Sequence, residues 1–124
     1  MQDKKIETFV DLKVWQVGHK VVLKVYKLTK LFPRGELYGL ISQLRRAVVS
    51  ITSNIAEGFS RSSSRDKAYF YSIALGSVTE LQNQLLIAKD LEYFESAMYV
   101  EISKELVGIH KMLNGLIKSV LARP

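Results

Sequence analysis

Basic side chains that recur at helical spacing are the chemically most suggestive feature of this 124-residue sequence. Lys13, Lys20, Lys24 and Lys27 fall within about 60° of arc if their segment is helical. Such a stripe suits contacts with the phosphates of a nucleic acid, and it is equally typical of a solvated helix face. Both interpretations stay open for the stripe taken by itself.

A second basic group surrounds a serine-rich loop and consists of Arg61, Arg65 and Lys67. The loop precedes a helical pattern, and a helix N-terminus offers unpaired N–H groups and partial positive charge to an anion. Helix capping would explain the serines equally well, and Asp66 lowers the local charge. We expect this loop to be the best loop-borne contact for a phosphate.

Two adjacent arginines, Arg45 and Arg46, point about 100° apart on a helix, so they cannot form one flat patch. Arg46 shares a face with Ser50 and Glu57, which favours an arginine–carboxylate contact between helices or subunits. Phosphate binding by the two arginines is the alternative, because a guanidinium group suits either partner. We interpret Asn54 as a structural hydrogen-bonding residue near the end of the same helix.

Enzymatic signals are weak in this sequence. His19 and His110 fall on different predicted helices and have no carboxylate three or four residues away. There is no glycine-rich phosphate loop, no metal-ligand spacing and no cysteine. Glu57 and Glu80 could meet as an acid–base pair, but structural pairing of each carboxylate is favoured. We expect a non-enzymatic protein without a catalytic residue, metal or cofactor.

The overall charge is +6, from 18 basic and 12 acidic side chains, which favours polyanionic partners. Residues 1–67 hold 13 of the basic and 6 of the acidic side chains, so the surplus belongs to this half. The polar N-terminus and the absence of cysteine predict a cytoplasmic protein. The polar residues within segment 68–88 argue against a membrane span and a membrane partner.

The hydrophobic spacing predicts one all-α domain over residues 1–124, an antiparallel up-down four-helix bundle. The predicted helices cover about 12–31, 36–57, 65–91 and 96–121. Asp11 is the expected N-cap of the first helix, and Gly58 is expected just beyond the second. Phe70 is expected on the main apolar face of the third helix.

The second and third predicted helices are almost uncharged between their ends, so neither has a convincing solvent face. This pattern predicts a homo-oligomer with much of its contact on these two helices, and a serine-rich monomer is the alternative. The residues assigned to structure or to the oligomer interface are Trp15, Arg46, Ser50, Asn54, Glu57, Gly76 and Glu80.

Several ordered blocks of the chain resemble a known family. They are DLKVWQ at 11–16, YKLTKLFP at 26–33, YGLISQLRRA at 38–47, SNIAEG at 53–58 and IALGS at 73–77. Together they resemble the bacterial four-helix-bundle proteins encoded in intervening sequences of 23S ribosomal RNA genes, also called the S23 ribosomal protein family. Thr52 departs from the proline usual in that family, which predicts that an expected kink in the second helix is absent.

The resemblance implies a cytoplasmic, all-α protein that assembles as a homopentamer. The chain is also similar to the accessory protein of diversity-generating retroelements, a basic pentameric bundle that engages nucleic acid and a reverse transcriptase. We therefore expect an oligomeric bundle that binds structured RNA or DNA electrostatically. A protein-interaction scaffold is the first alternative, and an enzyme with a site between subunits is the second.

Overall fold

Residues 5–123 are described by a computed structural model, and within them the secondary structure is entirely helical. Helix α1 spans Lys13–Thr29, α2 spans Ser42–Ser60, α3 spans Ser64–Asp90 and α4 spans Ser96–Leu121. The all-α class is therefore confirmed for the described residues.

The four helices pack in cyclic order, with α1 and α3 each lying against both α2 and α4. Neighbouring helices run antiparallel, because the start of each helix meets the end of the previous one. Arg45 near the start of α2 contacts Thr29 at the end of α1, and Gly58 near the end of α2 meets Tyr71 of α3. This is the up-down order that short connections enforce.

The core lies along the seams that the apolar spacing predicts. Leu44, Val48, Ile51 and Ile55 of α2 are fully buried. Helix α4 likewise has four fully buried residues: Ile102, Leu106, Ile109 and Leu113. At the start of α3 the expectation fails, because Tyr71 rather than Phe70 enters the core. Phe70 stays half-buried at the surface, where the Arg61 guanidinium lies 4.6 Å from its ring centre.

The segment before α1 differs from the expected cap. The Asp11 carboxylate accepts hydrogen bonds from the backbone N–H groups of Glu7 and Thr8, at 2.9 and 3.1 Å. It thereby closes a short 3₁₀ turn over Phe9–Asp11, and Leu12 becomes the N-cap residue of α1. The polar side chain serves the turn before the helix instead of the helix itself.

The α-helical part of the second helix begins at Ser42, whereas the spacing predicted a start at Glu36. A 3₁₀ turn over Arg34–Glu36 and a π-helical turn over Leu37–Ile41 come first. Gly39 leaves helical geometry there, with φ −114° and ψ −111°. The Glu36 carboxylate accepts hydrogen bonds from the Leu40 N–H at 3.3 Å and from the Tyr93 hydroxyl at 2.8 Å, which anchors this irregular corner.

Gly58 lies inside α2 rather than beyond its end, because the helix continues to Ser60. A Cβ atom at Gly58 would come within 2.6 Å of the Tyr71 ring, so the missing side chain makes room for that ring. Thr52 lies in the same uninterrupted helix, and its hydroxyl donates a hydrogen bond to the Val49 carbonyl at 3.1 Å.

Candidate nucleic-acid interface

Helix α1 carries three lysines that are open to solvent: Lys13, Lys20 and Lys27. None of them forms an ion pair or side-chain hydrogen bond with another residue in the described range 5–123. Their seven-residue spacing places them about 10.5 Å apart along the helix axis. These three members of the predicted stripe are therefore available to an anion.

Lys24, the fourth member of the stripe, is engaged with α4. Its Nζ atom lies 2.6 Å from Glu105 Oε1 and 3.5 Å from Glu101 Oε2. The hydrogen bond to Glu105 raises the pKa of Lys24 above its ordinary value, although partial burial opposes the shift. The structure thus gives Lys24 a role in joining two helices, which the sequence-based assignment did not include.

A second lysine row lies on α4, at Lys104, Lys111 and Lys118. All three are exposed and make no ion pair with another described residue. The sequence places them together on the outer face of the fourth helix, but the predicted binding residues do not include them. Their seven-residue repeat was the signal, and the packing of α4 on α1 shows that the two rows belong to a pair of neighbouring helices. We call Lys13, Lys20, Lys27, Lys104, Lys111 and Lys118 the α1–α4 basic face.

The Arg45 side chain of α2 contacts the end of α1. Its Nε donates to the Thr29 hydroxyl at 2.9 Å, and its guanidinium lies 4.7 Å from the centre of the Tyr26 ring. A second nitrogen approaches the Tyr26 carbonyl at 3.5 Å. These contacts fasten α2 to the last turn of α1 and occupy two of the five N–H donors of Arg45.

Two of the three basic residues around the serine-rich loop bind groups at the end of α2. Arg61 pairs with Glu57 at 2.9 Å, and Lys67 donates to the Phe59 carbonyl at 2.7 Å near the end of α2. Burial and nearby Arg123 lower the pKa of Lys67. Ser63 caps α3 by accepting from the Asp66 N–H, as expected of a serine there. Arg65 is the exposed basic residue of this loop that has no partner within the described range.

Arg46 lies on the other side of α2, next to α3. Together with Gln43, Ala47, Ser50, Ser77, Glu80 and Gln84 it lines a cleft of about 380 Å³, which we call the α2–α3 cleft. Glu57, the expected partner of Arg46, pairs with Arg61 instead. The Ser50 and Ser77 hydroxyls are 2.8 Å apart, and Asn54 donates to the Ser50 carbonyl at 2.8 Å. Arg46 and Ser50 thus line one cleft, as their shared face predicted, and Asn54 is bound to Ser50. Glu80 of α3, which was not part of that predicted face, lines the same cleft.

Trp15 and Gly76, two further residues assigned to structure or interface, differ in their surroundings. Trp15 is half-buried, stacks on His19 at 4.8 Å between ring centres and meets the edge of Phe9. Gly76 is exposed, and a Cβ atom there would meet nothing within 4 Å. Trp15 therefore has a structural role within one chain, whereas Gly76 makes no close contact in it.

Acidic and histidine side chains form no cluster of three or more that could hold a metal ion in the described part of the chain. His110 is paired with Asn114 at 3.2 Å. Over residues 5–123, none of the helices combines the length and apolarity needed to cross a membrane.

Comparisons with known proteins agree with this architecture. The model of the 23S rRNA-intervening sequence protein family matches residues 10–115. A solved structure of a protein of unknown function, from the S23 ribosomal protein family of Bacteroides thetaiotaomicron VPI-5482, is similar with a TM-score of 0.78 and 25% identity. The match covers 85% of this chain and 98% of that one. No curated protein matches the chain. Because the family model spans most of its length, the chain belongs to the 23S rRNA-intervening sequence protein family.

Proposed function

We propose that this protein is a non-enzymatic, self-associating helical bundle of the cytoplasm that binds structured RNA or DNA. The observation that carries the proposal is the α1–α4 basic face, six exposed lysines without an acidic partner in the described structure. Binding is electrostatic, through phosphates, because lysine is a flexible point charge that reads little of a base edge.

The Lys24 ion pairs support the face by holding α1 against α4. Each row places a cation about every 10.5 Å, so several lysines can meet one nucleic-acid backbone at once. Self-association as a homopentamer multiplies this face five-fold, and avidity turns weak contacts into useful affinity. The almost uncharged α2–α3 side lies opposite in the cyclic helix order and is free to carry the contact between copies.

Fluorescence anisotropy with a labelled RNA hairpin and a DNA duplex, titrated at several salt concentrations, tests the proposal. We expect the affinity of the wild type to fall steeply with salt, with a slope of roughly −0.9 for each phosphate contacted on DNA. The double variant Lys20→Glu, Lys111→Glu should bind at least about ten-fold more weakly, with a shallower slope.

The matched control is Arg34→Glu, Lys30→Glu, which makes the same charge change in the segment after α1, at two residues outside the lysine rows. This control should retain clearly more affinity than the Lys20→Glu, Lys111→Glu variant. Failure of the wild type to bind either probe at low salt would remove the proposal, and so would equal losses in the two double variants.

A protein-interaction scaffold is the second candidate function. It is favoured by a groove of about 500 Å³ between α1 and α2, lined by Tyr26, Leu37, Tyr38 and Val49. Tyr38 is 93% exposed, which is unusual for a large aromatic side chain. If this groove holds a protein partner, Tyr38→Ser should abolish that complex and leave the affinity for the RNA hairpin unchanged.

A further inference from the structure

Helix α3 carries a second seam beside the one that fills the core. Residues along it recur at steps of four, four, three, four, three and four, the spacing of a helix that faces a partner helix. Its members are Tyr69, Ile73, Ser77, Glu80, Gln84, Ile87 and Leu91. The seam is apolar at both ends and polar in the middle. Helix α2 covers it only in part, because its four apolar members are 37–63% exposed.

The polar middle of this seam lies in the α2–α3 cleft and is incomplete within one chain. Gln84 is 6% exposed, and its Oε1 atom accepts no hydrogen bond from a described residue. A buried carbonyl oxygen without a donor is rare and costly. Glu80 and Arg46 line the same cleft, yet neither forms an ion pair with a described residue. Two acceptors and one cation therefore line the same cleft without a partner among residues 5–123.

The charge of the cleft argues for a protein occupant and against a nucleic acid. Among the residues lining it, Arg46 is the cation and Glu80 the anion, so the charge is balanced. A phosphate entering the cleft would meet the Glu80 carboxylate, whereas a second copy would bring a guanidinium to it. The exposed apolar ends of the seam add surface that only a protein partner would cover.

We infer that a second copy of this chain packs along the second seam of α3, with Arg46 of one copy donating to Glu80 and Gln84 of the next. This inference rests on the self-association proposed above and identifies the contact that completes the cleft. A guanidinium group has enough donors to bind a carboxylate through two N–H groups and a carbonyl oxygen through another.

Packing of the apolar ends would exclude water from this ion pair. Buried polar residues in the middle of an apolar seam are known to select one register and one partner. The pairing would therefore fix how far one copy slides along its neighbour. Both Arg46 and Glu80 occur in every copy, so each subunit would donate at one contact and accept at another.

Sedimentation velocity at micromolar concentration tests the inference with two opposite substitutions. Arg46→Glu and Glu80→Arg each place like charges at the contact, and each should weaken assembly by at least about ten-fold. A one-to-one mixture of the two variants should associate again into alternating oligomers, because the introduced glutamate then meets the introduced arginine. A closed ring of five copies would still contain one contact between like variants, so complete assembly is expected only of the double variant. The double variant Arg46→Glu, Glu80→Arg should assemble by itself.

Arg34→Glu is the matched control, with the same charge change as Arg46→Glu outside the seam, and it should assemble like the wild type. Circular dichroism checks that the charge-reversal variants fold. If they do not, Arg46→Gln and Gln84→Leu replace them. Arg46→Gln should still weaken assembly. A monomeric wild type, or single variants that assemble normally, would overturn the inference. So would folded single variants whose mixture stays dissociated.

RNA binding is read out separately. A folded, dissociated Arg46→Glu chain keeps the α1–α4 basic face, so it should still bind the RNA hairpin, more weakly for lack of avidity. Loss of assembly with residual RNA binding supports both the cleft contact and the proposed function. Normal RNA binding by a monomeric wild type overturns the cleft contact alone, and an assembled wild type that binds no nucleic acid overturns the nucleic-acid function alone.

Discussion

Lys24 of α1 lies 2.6 Å from Glu105 of α4, and this ion pair ties together the two helices that carry the exposed lysine rows. Glu101 adds a longer contact at 3.5 Å. The acidic residues of α4 are thus directed at the one lysine of the stripe that lies closest to them. They leave Lys20 and Lys27 without an acidic partner in the described structure.

Loss of this ion pair should destabilise the bundle slightly and in a pH-dependent way. Glu105→Gln should lower the free energy of unfolding by about 0.5–1 kcal/mol at neutral pH, because the pair is partly exposed. The pKa of Lys24 is raised above 10.5, so its stabilising contribution is complete below that pH and disappears as the pH rises through the folded-state pKa. Urea denaturation at neutral pH and above pH 11 measures both effects. A difference between wild type and variant that grows with alkaline pH would contradict this assignment.

The two kinds of lysine in the α1 stripe should behave differently toward RNA. Lys20→Gln should reduce the salt slope of RNA binding by about 1, because an exposed phosphate contact is lost. Lys24→Gln should leave that slope nearly unchanged and instead lower stability, since its ammonium group is held by Glu105. Anisotropy titrations and urea denaturation of the same two proteins separate these outcomes. The reverse order of effects would show that Lys24 is released from α4 on binding.

Gly58 and Gly76 offer a matched pair of substitutions inside helices. Gly58→Ala should destabilise the protein by about 1–3 kcal/mol, because the added methyl group would strike the Tyr71 ring. Gly76→Ala should stabilise the isolated chain by about 0.5–1 kcal/mol, since alanine favours a helix and has open space there. Urea denaturation provides both values. Equal effects at the two positions would refute the close approach at Gly58.

Tyr71 should make the fold sensitive to alkaline pH. Burial raises the pKa of its hydroxyl above the ordinary 10.0, so the unfolded chain loses this proton at a lower pH than the folded one. Stability should therefore decrease as the pH rises above 10. Tyr71→Phe keeps the ring beside Gly58 and should flatten that decrease, whereas Tyr38→Phe, at an exposed position, should not. Thermal melts at pH 8 and pH 11 compare the three proteins.

Local periodicity predicted the four helices and most of the core, because apolar residues one turn apart must share a face. Periodicity was less reliable for the starts of helices, where a polar side chain binds the backbone of the preceding turn. Asp11 closes a turn before α1, and Glu36 anchors an irregular corner, so neither helix begins where its spacing indicated. At the start of α3, the absence of a side chain at Gly58 leaves room for the Tyr71 ring, so Tyr71 is buried in the core in place of Phe70.

The candidate site was predictable only in part, because pairing between distant residues leaves no mark on local spacing. The partner of Lys24 is 81 residues away on α4. The lysines of α4 were visible as a repeat, but the packing of α4 against α1, the helix that carries Lys20, depends on how the bundle closes. The unpartnered oxygen of Gln84 could be recognised only in three dimensions, since any glutamine in a helix looks alike in the sequence.

The basic face is composed of the first and last helices of the bundle, and this has a consequence for the order of folding. The hairpin of α2 and α3 is closed by a short loop, whereas the contact between Lys24 and Glu105 closes a much longer one at a greater entropic cost. Helices α2 and α3 should therefore associate before α1 meets α4. During synthesis the two lysine rows can come together only after α4 has left the ribosome, so an unfinished chain cannot present the complete face to a nucleic acid.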